Sequence, residues 1–545
     1  MEPSTAASPR VNVARNAGII SLAVMASRVL GLVRDQVFAI FFGAGFHYDA
    51  FLTAFRIPNL LRDLFAEGAL SSAFVATFTQ VLEKKGEKEA QRLSSRVATL
   101  LIIIISIISV IAWFEAAAIV RALAPGFFAL PGKAELAIEL TRIMVPFLLF
   151  VALAAQAMGI LNAHGRFAIP ALASSFFNLG SIIGGLLLGF VLGPFIGLSA
   201  IAGMAYGTLI GGFLQFAVQW PSLRRVGFSY RPMLSLSDPG VRRVIAMMGP
   251  AVIGAAAVQI NVFVNTNFAS SIIDPATGLV ANGPVSWLNY AFRFMQFPIG
   301  VFGVAIATAA LPQLSRDSAR ADHEQFRRTI VHALSLVLVL CIPSAVGLAV
   351  LGRPIIALIF EHGRFTAFDT IQTGNALAAY AIGLAGYAAV KVLSPAFYAF
   401  GDARTPMLIS LGSIGVNYVI NSFLVVPFGH VGLAVSTSCV ALVNFLLLVV
   451  FMRRKLGRIG GRELSVKTLR IIAASLPMAA VAWAVNELVS MLPLIGIARD
   501  LARVLSAIAL AATIFYFTCR WLRVAEVSEA AGAIGGRFLR LLVRK

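Results

Sequence analysis

The residues of this chain that could do chemistry are charges set among apolar neighbours. Arg28, Arg34 and Asp35 lie in one apolar stretch. Arg56, Arg62, Asp63 and Glu67 lie in the next, and Arg293, with Asn289 and Gln296, lies much further on, followed by Lys391. Placing one charge at mid-bilayer costs roughly 2.5–3.5 kcal/mol even on a lenient scale, so such residues face a watery cavity or one another. At 100° per residue Arg28 and Asp35 nearly eclipse, with Arg34 on their flank. Arg56, Asn59, Asp63 and Glu67 form one stripe, which Pro58 could kink, and Asn289, Arg293 and Gln296 form another. The arginines outnumber the carboxylates near enough to neutralise them. Guanidinium forks match phosphate oxygens bidentately, so the expected ligand is anionic, and a pyrophosphate is the natural guess from charge alone. The competing reading is a set of static ion pairs, Arg28 with Asp35 or Arg62 with Glu67. Arg34 and Arg62 could also snorkel to an interface, as could Lys391, and Arg142 reads as interfacial.

Other chemistry finds no residues to carry it. There is no Walker-type glycine loop, no HExxH, no GxSxG and no paired carboxylates in a loop. The six histidines are scattered among connectors and helix ends. An enzyme is therefore not expected, nor a metal or cofactor site. Cys341, Cys439 and Cys519 all sit in apolar stretches without ligand spacing and read as small packing residues.

The elements that must position these charges are membrane helices. Of 545 residues, 59% are hydrophobic and only 12% charged, and the mean hydropathy is +0.88. A soluble protein of this length needs far more polar surface. The pattern predicts an all-α polytopic protein of about fourteen transmembrane helices. These lie near 17–42, 49–82, 97–122, 135–162, 167–192, 197–222, 244–272, 284–314, 328–351, 367–400, 405–427, 430–452, 468–491 and 502–521. The polar head up to Arg15 leads into the first of these without a cleavage site, so it is kept as a membrane helix. The net charge of +20 is distributed by topology. Alternate connectors carry Arg10 and Arg15; Lys84, Lys85 and Lys88; Arg224 and Arg225; Arg327 and Arg328; and Arg453 to Arg462, while the others are nearly bare. This positive-inside asymmetry places both termini in the cytoplasm of an inner-membrane protein. It makes anionic lipids, and not nucleic acid, the partners of the basic charge.

An internal repeat organises the helices. Ala54-Phe55-Arg56 recurs as Ala291-Phe292-Arg293, Gly126-Phe127-Phe128 as Gly363-Arg364-Phe365, and Gly165 with Pro170 as Gly401 with Pro406, at offsets of 237, 237 and 236. Helices 1–6 (residues 1–225) and 7–12 (226–460) thus read as two homologous lobes in the same orientation. Arg56 is then the mate of Arg293, and Asn59 of Gln296. Helices 13 and 14 (461–523) fall outside the repeat, and 524–545 reads as a cytoplasmic amphipathic tail with Val527, Ala531, Ile534, Phe538, Leu541 and Leu542 on one face. Pro58, Gly68, Pro298, Gly300 and Gly303 interrupt helices 2 and 8 at matching depths, as in moving transporter elements or in close small-residue packing.

Several of these stretches resemble a known family. Ser27-Arg28-Val29-Leu30-Gly31-Leu32-Val33-Arg34-Asp35, Phe42-Gly43-Ala44-Gly45 and Asp49-Ala50-Phe51 are similar to the opening of the MurJ (MviN) lipid II flippases of the MOP exporter superfamily. Pro58 to Arg62, Phe65 to Ala69, Met248-Gly249-Pro250, Val285-Ser286-Trp287, Phe297-Pro298, Gly363 to Asp369 and Lys391-Val392-Leu393 resemble the same family. The resemblance implies two six-helix lobes plus two further helices forming a groove for a lipid tail. It implies flipping of lipid II, the undecaprenyl-pyrophosphate-linked peptidoglycan precursor, from the cytoplasmic to the periplasmic leaflet by alternating access. It carries functional roles to Arg28, Arg34, Asp49, Arg62 and Arg293, and with the cavity argument the substrate contacts become Arg28, Arg34, Asp49, Arg56, Arg62, Glu67, Arg293 and Gln296. Gln296 stands where the family often has a carboxylate and Asp63 where it often has a base. Helix 11 offers only Asn417 and Asn421 where some relatives use carboxylates for sodium. The chain is expected to act as a monomer without cofactor, driven by membrane potential or an ion gradient. An exporter of another polyprenyl-linked oligosaccharide or of a drug is the alternative; an exporter of cationic drugs should present buried acids instead of arginines.

Overall fold

The computed structural model describes residues 9–62, 71–457, 461–493 and 496–532. Asp63, Glu67 and Gly68, and the tail beyond 532, lie outside these residues. The described chain is helical, with one isolated bridge between Ile273 and Val280. In order the helices are α1 (Pro9–Phe42), α2 (Phe46–Arg62), α3 (Ser71–Lys85), α4 (Glu87–Phe114), α5 (Ala116–Leu123), α6 (Lys133–Met144), α7 (Phe147–Ala163), α8 (Ala168–Leu186), α9 (Gly193–Ile196), α10 (Ala200–Ala217), α11 (Trp220–Arg225) and α12 (Pro239–Ser270). They continue as α13 (Pro284–Pro298), α14 (Val304–Ala319), α15 (His323–Phe360), α16 (Ala367–Ala399), α17 (Arg404–Leu456), α18 (Gly461–Ser490) and α19 (Ile497–Trp521). Among the described residues, ten stretches, some of them joining consecutive helices, are long and apolar enough to cross a membrane.

Helix starts follow local chemistry. Asp238 accepts the amide of Val241 at 3.0 Å to open α12, and Asp322 that of Gln325 at 2.9 Å to open α15. At α16 the Thr366 hydroxyl and the Asp369 carboxylate cap one another's backbone in a reciprocal box. α17 is two helices. Gly429 leaves helical geometry with φ 55°, and the Ser436 hydroxyl lies 3.1 Å from the Asn417 amide oxygen. A straight helix would hold residues 19 apart at about 28 Å, so the chain turns back at Gly429, between the spans expected at 405–427 and 430–452. After Pro298 the helix widens into a π-turn over Ile299–Gly303. The freed backbone is absorbed there without ending the helix.

The chain divides into two compact units, Met1–Ser271 and Ile272–Lys545. This contact boundary and the repeat boundary at 225/226 differ by one helix. α12 packs on the first unit: Val241 and Val244 join a core with Phe74, Phe78 and Leu93, and the Asn267 amide donates to the Ala122 carbonyl at 2.8 Å.

The repeat is visible in backbone detail. After α7 the amide of Gly165 bonds to the Asn162 carbonyl at 3.0 Å and that of Arg166 to Leu161 at 2.8 Å. After α16 the amide of Gly401 bonds to Tyr398 at 3.0 Å and that of Asp402 to Phe397 at 2.9 Å. Both glycines sit in the left-handed region, with φ 69° and 78°. This is one Schellman-like stop used twice, which explains why glycine recurs there.

In the second unit α18 and α19 pack on α15. Met478 and Ala482 meet Ala511 and Phe515 over Leu338 and Ile342. Residues 526–532 form a helix, and Val527 and Ala530 are buried in this same core. Val527, on the apolar face of the expected tail, thus packs on the protein: the short link after Trp521 folds this segment back.

Candidate functional site

In the first unit the arginine site is built where α1 meets α8. The Asn178 amide of α8 donates to the Ser27 carbonyl of α1 at 3.1 Å, fixing the register of the two helices. Two turns on, the Arg34 guanidinium lies 3.2 Å from the Asp35 carboxylate and 5.6 Å from the centre of the Phe177 ring. Asp35 is buried, with further interactions of its own, and the Arg34 side chain is 12% exposed. The pairing differs from the eclipsed Arg28–Asp35 pair considered from the sequence: Asp35 turns inward while Arg28 stays on the exposed face of α1. Among the described residues Arg28 makes no ion pair.

An aromatic chain leads from this site to α2. Phe177 packs on Phe147 at 5.4 Å, Phe147 on Phe55 at 5.8 Å, and Phe55 stacks on Phe51 at 6.2 Å. Beside Phe55, Arg56 is half-buried, as are Asn59 and Arg62, and both arginines have partners within the protein. Glu67 lies outside the described residues.

Asp49 is placed differently. Its carboxylate takes the Lys133 ammonium at 2.9 Å, with both side chains 1% exposed or less. The Lys133 ammonium also sits 4.3 Å from the centre of the Phe127 ring. Asp49 therefore fastens the start of α2 to the start of α6. The sequence puts Lys133 in the connector between the spans expected at 97–122 and 135–162. The only signal that could have found it was its position 236 residues before Asp369, close to the offset of the repeat.

The second unit presents its face on α13. Asn289 is half-buried, and Arg293 and Gln296 are exposed on one side. Tyr290, Ala291 and Met295 on the other side are fully buried. Arg293 has interactions within the protein. Ala54 and Ala291, mates in the repeat, are both 0% exposed, so each arginine is aimed by the same buried anchor two residues earlier. Below this face the Trp287 indole donates to Asp369 at 2.9 Å, and the other carboxylate oxygen accepts the Thr366 amide at 2.9 Å and hydroxyl at 3.0 Å. Gly283, with φ 114°, lies under this indole, and a Cβ there would come within 2.4 Å of the ring. Lys391 is exposed on α16. Asn417 and Asn421 are buried in α17, where Asn417 meets Ser436. No metal-ligating cluster of His, Cys, Asp and Glu occurs among the described residues, and the three cysteines are unpaired.

The family described as Lipid II flippase MurJ matches residues 38–499. The chain is 36% identical over 433 residues to a lipid II flippase MurJ of Burkholderia cenocepacia, covering 79% of this chain and 81% of that protein. It is 33% identical over 472 residues to a Buchnera aphidicola protein of the same family name, covering 86% and 90%. Among solved structures, Lipid II flippase MurJ in an inward closed conformation superposes with a TM-score of 0.74 at 28% identity, covering 92% of this chain and 99% of that one. A multidrug resistance MATE transporter of the MOP superfamily superposes at 0.67 with 15% identity, covering 82% and 99%, which marks a shared fold. A family match over residues 38–499 and relatives at 33–36% identity along most of their length show that the chain belongs to the MurJ family of lipid II flippases.

Proposed function

We propose that this chain carries lipid II across the inner membrane, from the cytoplasmic to the periplasmic leaflet, by alternating access. The observation that carries the reading is Arg28. It is an exposed cation in an apolar helix, without an ion pair among the described residues, two turns from the Arg34–Asp35 pair. A charge so placed in a membrane helix belongs to a watery cavity, where an anionic ligand can pair with it. A diphosphate, with its several anionic oxygens, suits the guanidinium fork.

In this reading Arg28 and Arg34 of the first unit and Arg293 of the second are substrate contacts for the diphosphate, and Arg56, Arg62, Glu67 and Gln296 are contacts for the rest of the head group. Asp49 contributes by holding α2 in place. The apolar surfaces of α18 and α19, where Leu476, Trp483 and Phe517 are exposed, take the polyprenyl tail. Both termini are cytoplasmic, the basic connectors meet anionic lipids, and the protein works as a monomer driven by membrane potential or an ion gradient. A drug-exporter reading is not favoured, because the likeness to MATE transporters is one of fold.

The test is complementation of a strain depleted of its lipid II flippase, with protein level measured beside flipping. Arg28→Ala should abolish flipping at normal accumulation, and Arg28→Lys should retain part of it, since charge survives but the fork is lost. Normal flipping by both Arg28→Ala and Arg293→Ala at normal levels would overturn these arginine contacts.

A further inference from the structure

Apart from the arginine site, the first unit carries a recess of about 620 Å³, open to the surroundings, where α4 and α5 meet α6 and α10. Its wall on α6 is charged in a fixed order. Glu135, Glu139 and Arg142 follow at i, i+4 and i+7, which puts them on one face of the helix. Both carboxylates are exposed and neither makes an ion pair among the described residues. The Arg142 guanidinium lies 5.1 Å from the centre of the Trp113 ring, and its Nε donates to the Trp113 carbonyl at 3.2 Å. Tyr206 closes the side on α10, and Pro146 and Leu209 continue the recess as an apolar floor.

α6 and α7 together form one of the stretches able to cross a membrane, and Lys133 stands at its end. Depth along α6 therefore rises from Glu135 to Glu139 to Arg142, at ~1.5 Å per residue. The order from the water inward is two anions, then a cation, then apolar surface, with Trp113 and Tyr206 as aromatic side chains of the kind that anchor at the interface. A phospholipid bearing a primary ammonium has the complementary order: ammonium outermost, phosphate next, acyl chains below. The step from Glu139 to Arg142, ~4.5 Å along the axis, suits the two-carbon spacer between ammonium and phosphate.

We propose that this recess is a binding site for a phosphatidylethanolamine-type lipid, with Glu135 and Glu139 taking the ammonium and Arg142 the phosphate. An anionic glycerol head group would satisfy Arg142 but face two carboxylates without a cation. A trimethylammonium head group could neutralise the carboxylates but could not donate hydrogen bonds to them.

The experiment is native mass spectrometry of the full chain in detergent, titrated separately with phosphatidylethanolamine, phosphatidylcholine and phosphatidylglycerol of the same acyl chains, and with soluble phosphoethanolamine. Phosphatidylethanolamine should bind about tenfold more tightly than the other two lipids, the scale of one charge-assisted hydrogen bond. The Glu135→Gln/Glu139→Gln variant should lose that preference while still binding phosphatidylglycerol. Arg142→Gln should weaken all three lipids. Equal binding of the three lipids by the unmodified chain would overturn the proposal, and this result needs no variant to fold. Full preference retained by the double glutamine variant would overturn it too. Tight binding of phosphoethanolamine alone would reassign the recess to a soluble ligand.

Discussion

The two units solve one mechanical problem with different chemistry. In the first, Asp49 at the start of α2 takes the ammonium of Lys133 at the start of α6. In the second, Trp287 at the start of α13 donates to Asp369 at the start of α16. Lys133 and Asp369 are 236 residues apart and Asp49 and Trp287 are 238 apart, which brackets the offset of the repeat. In each unit the helix that bears an arginine is pinned near its first turn to a helix about 80 residues later. The acid has changed sides, and the partner has changed from a cation to a neutral donor. The first clasp is a neutral pair of opposite charges. The second is a single buried carboxylate satisfied by an indole, a hydroxyl and a backbone amide in the first turn of α16, where the helix dipole also favours an anion.

The difference predicts unequal sensitivity. The largest effect should follow removal of one charge from the first clasp. Lys133→Ala or Asp49→Ala leaves an uncompensated buried charge, and loss of ~3–5 kcal/mol is expected. Replacing both residues with apolar ones of similar volume should restore most of it. Thermal unfolding of purified protein reads both results; a double variant as unstable as the single ones would show that the clasp is not an isolated pair.

The second clasp should be less sensitive. Trp287→Phe removes one of several donors to Asp369 and should cost ~1–3 kcal/mol. A larger loss than at Lys133 would reverse the comparison. Where the units share a geometry the effects should match. Gly165→Ala and Gly401→Ala each force a Cβ into the left-handed region and should each cost ~1–2 kcal/mol. Unequal shifts in unfolding temperature would mean that the two stops are not equivalent in energy.

The smallest effect belongs to a pair that only the second unit has. Asp402 accepts Lys455 at 2.8 Å and caps Thr405, whereas its repeat mate is Arg166, exposed and without an ion pair among the described residues. The hydrogen bond from Lys455, with those from Thr405, holds the Asp402 carboxyl well below the ordinary carboxylate range. A depressed value means that the pair stabilises the fold above about pH 4, the unfolded range, and that this is lost as pH falls toward the folded value. The pair is partly exposed, so ~1 kcal/mol or less is expected. Unfolding midpoints of Asp402→Asn and the unmodified chain should converge below that pH; a difference that persists unchanged would assign the effect to Thr405 capping.

By itself the sequence determined what depends on local composition and spacing. Long apolar runs have no stable state in a membrane except helix, because every backbone group must be bonded within the segment. The recurring glycines at 165 and 401 act within a few residues, so they were legible in one dimension. The repeat was legible for the same reason: identical local stops need identical residues. Tertiary structure decided which charges met. Helical periodicity puts Arg28 and Asp35 on one face, yet packing against Phe177 and Asn178 turned Asp35 inward to Arg34 and left Arg28 exposed. Lys133 looked like a connector residue until the fold brought it onto Asp49, 84 positions away, where an apolar shell made each charge depend on the other. Spacing along a helix fixes the direction of a side chain. The partner it finds depends on the neighbouring helix, and that is set by packing across the whole unit.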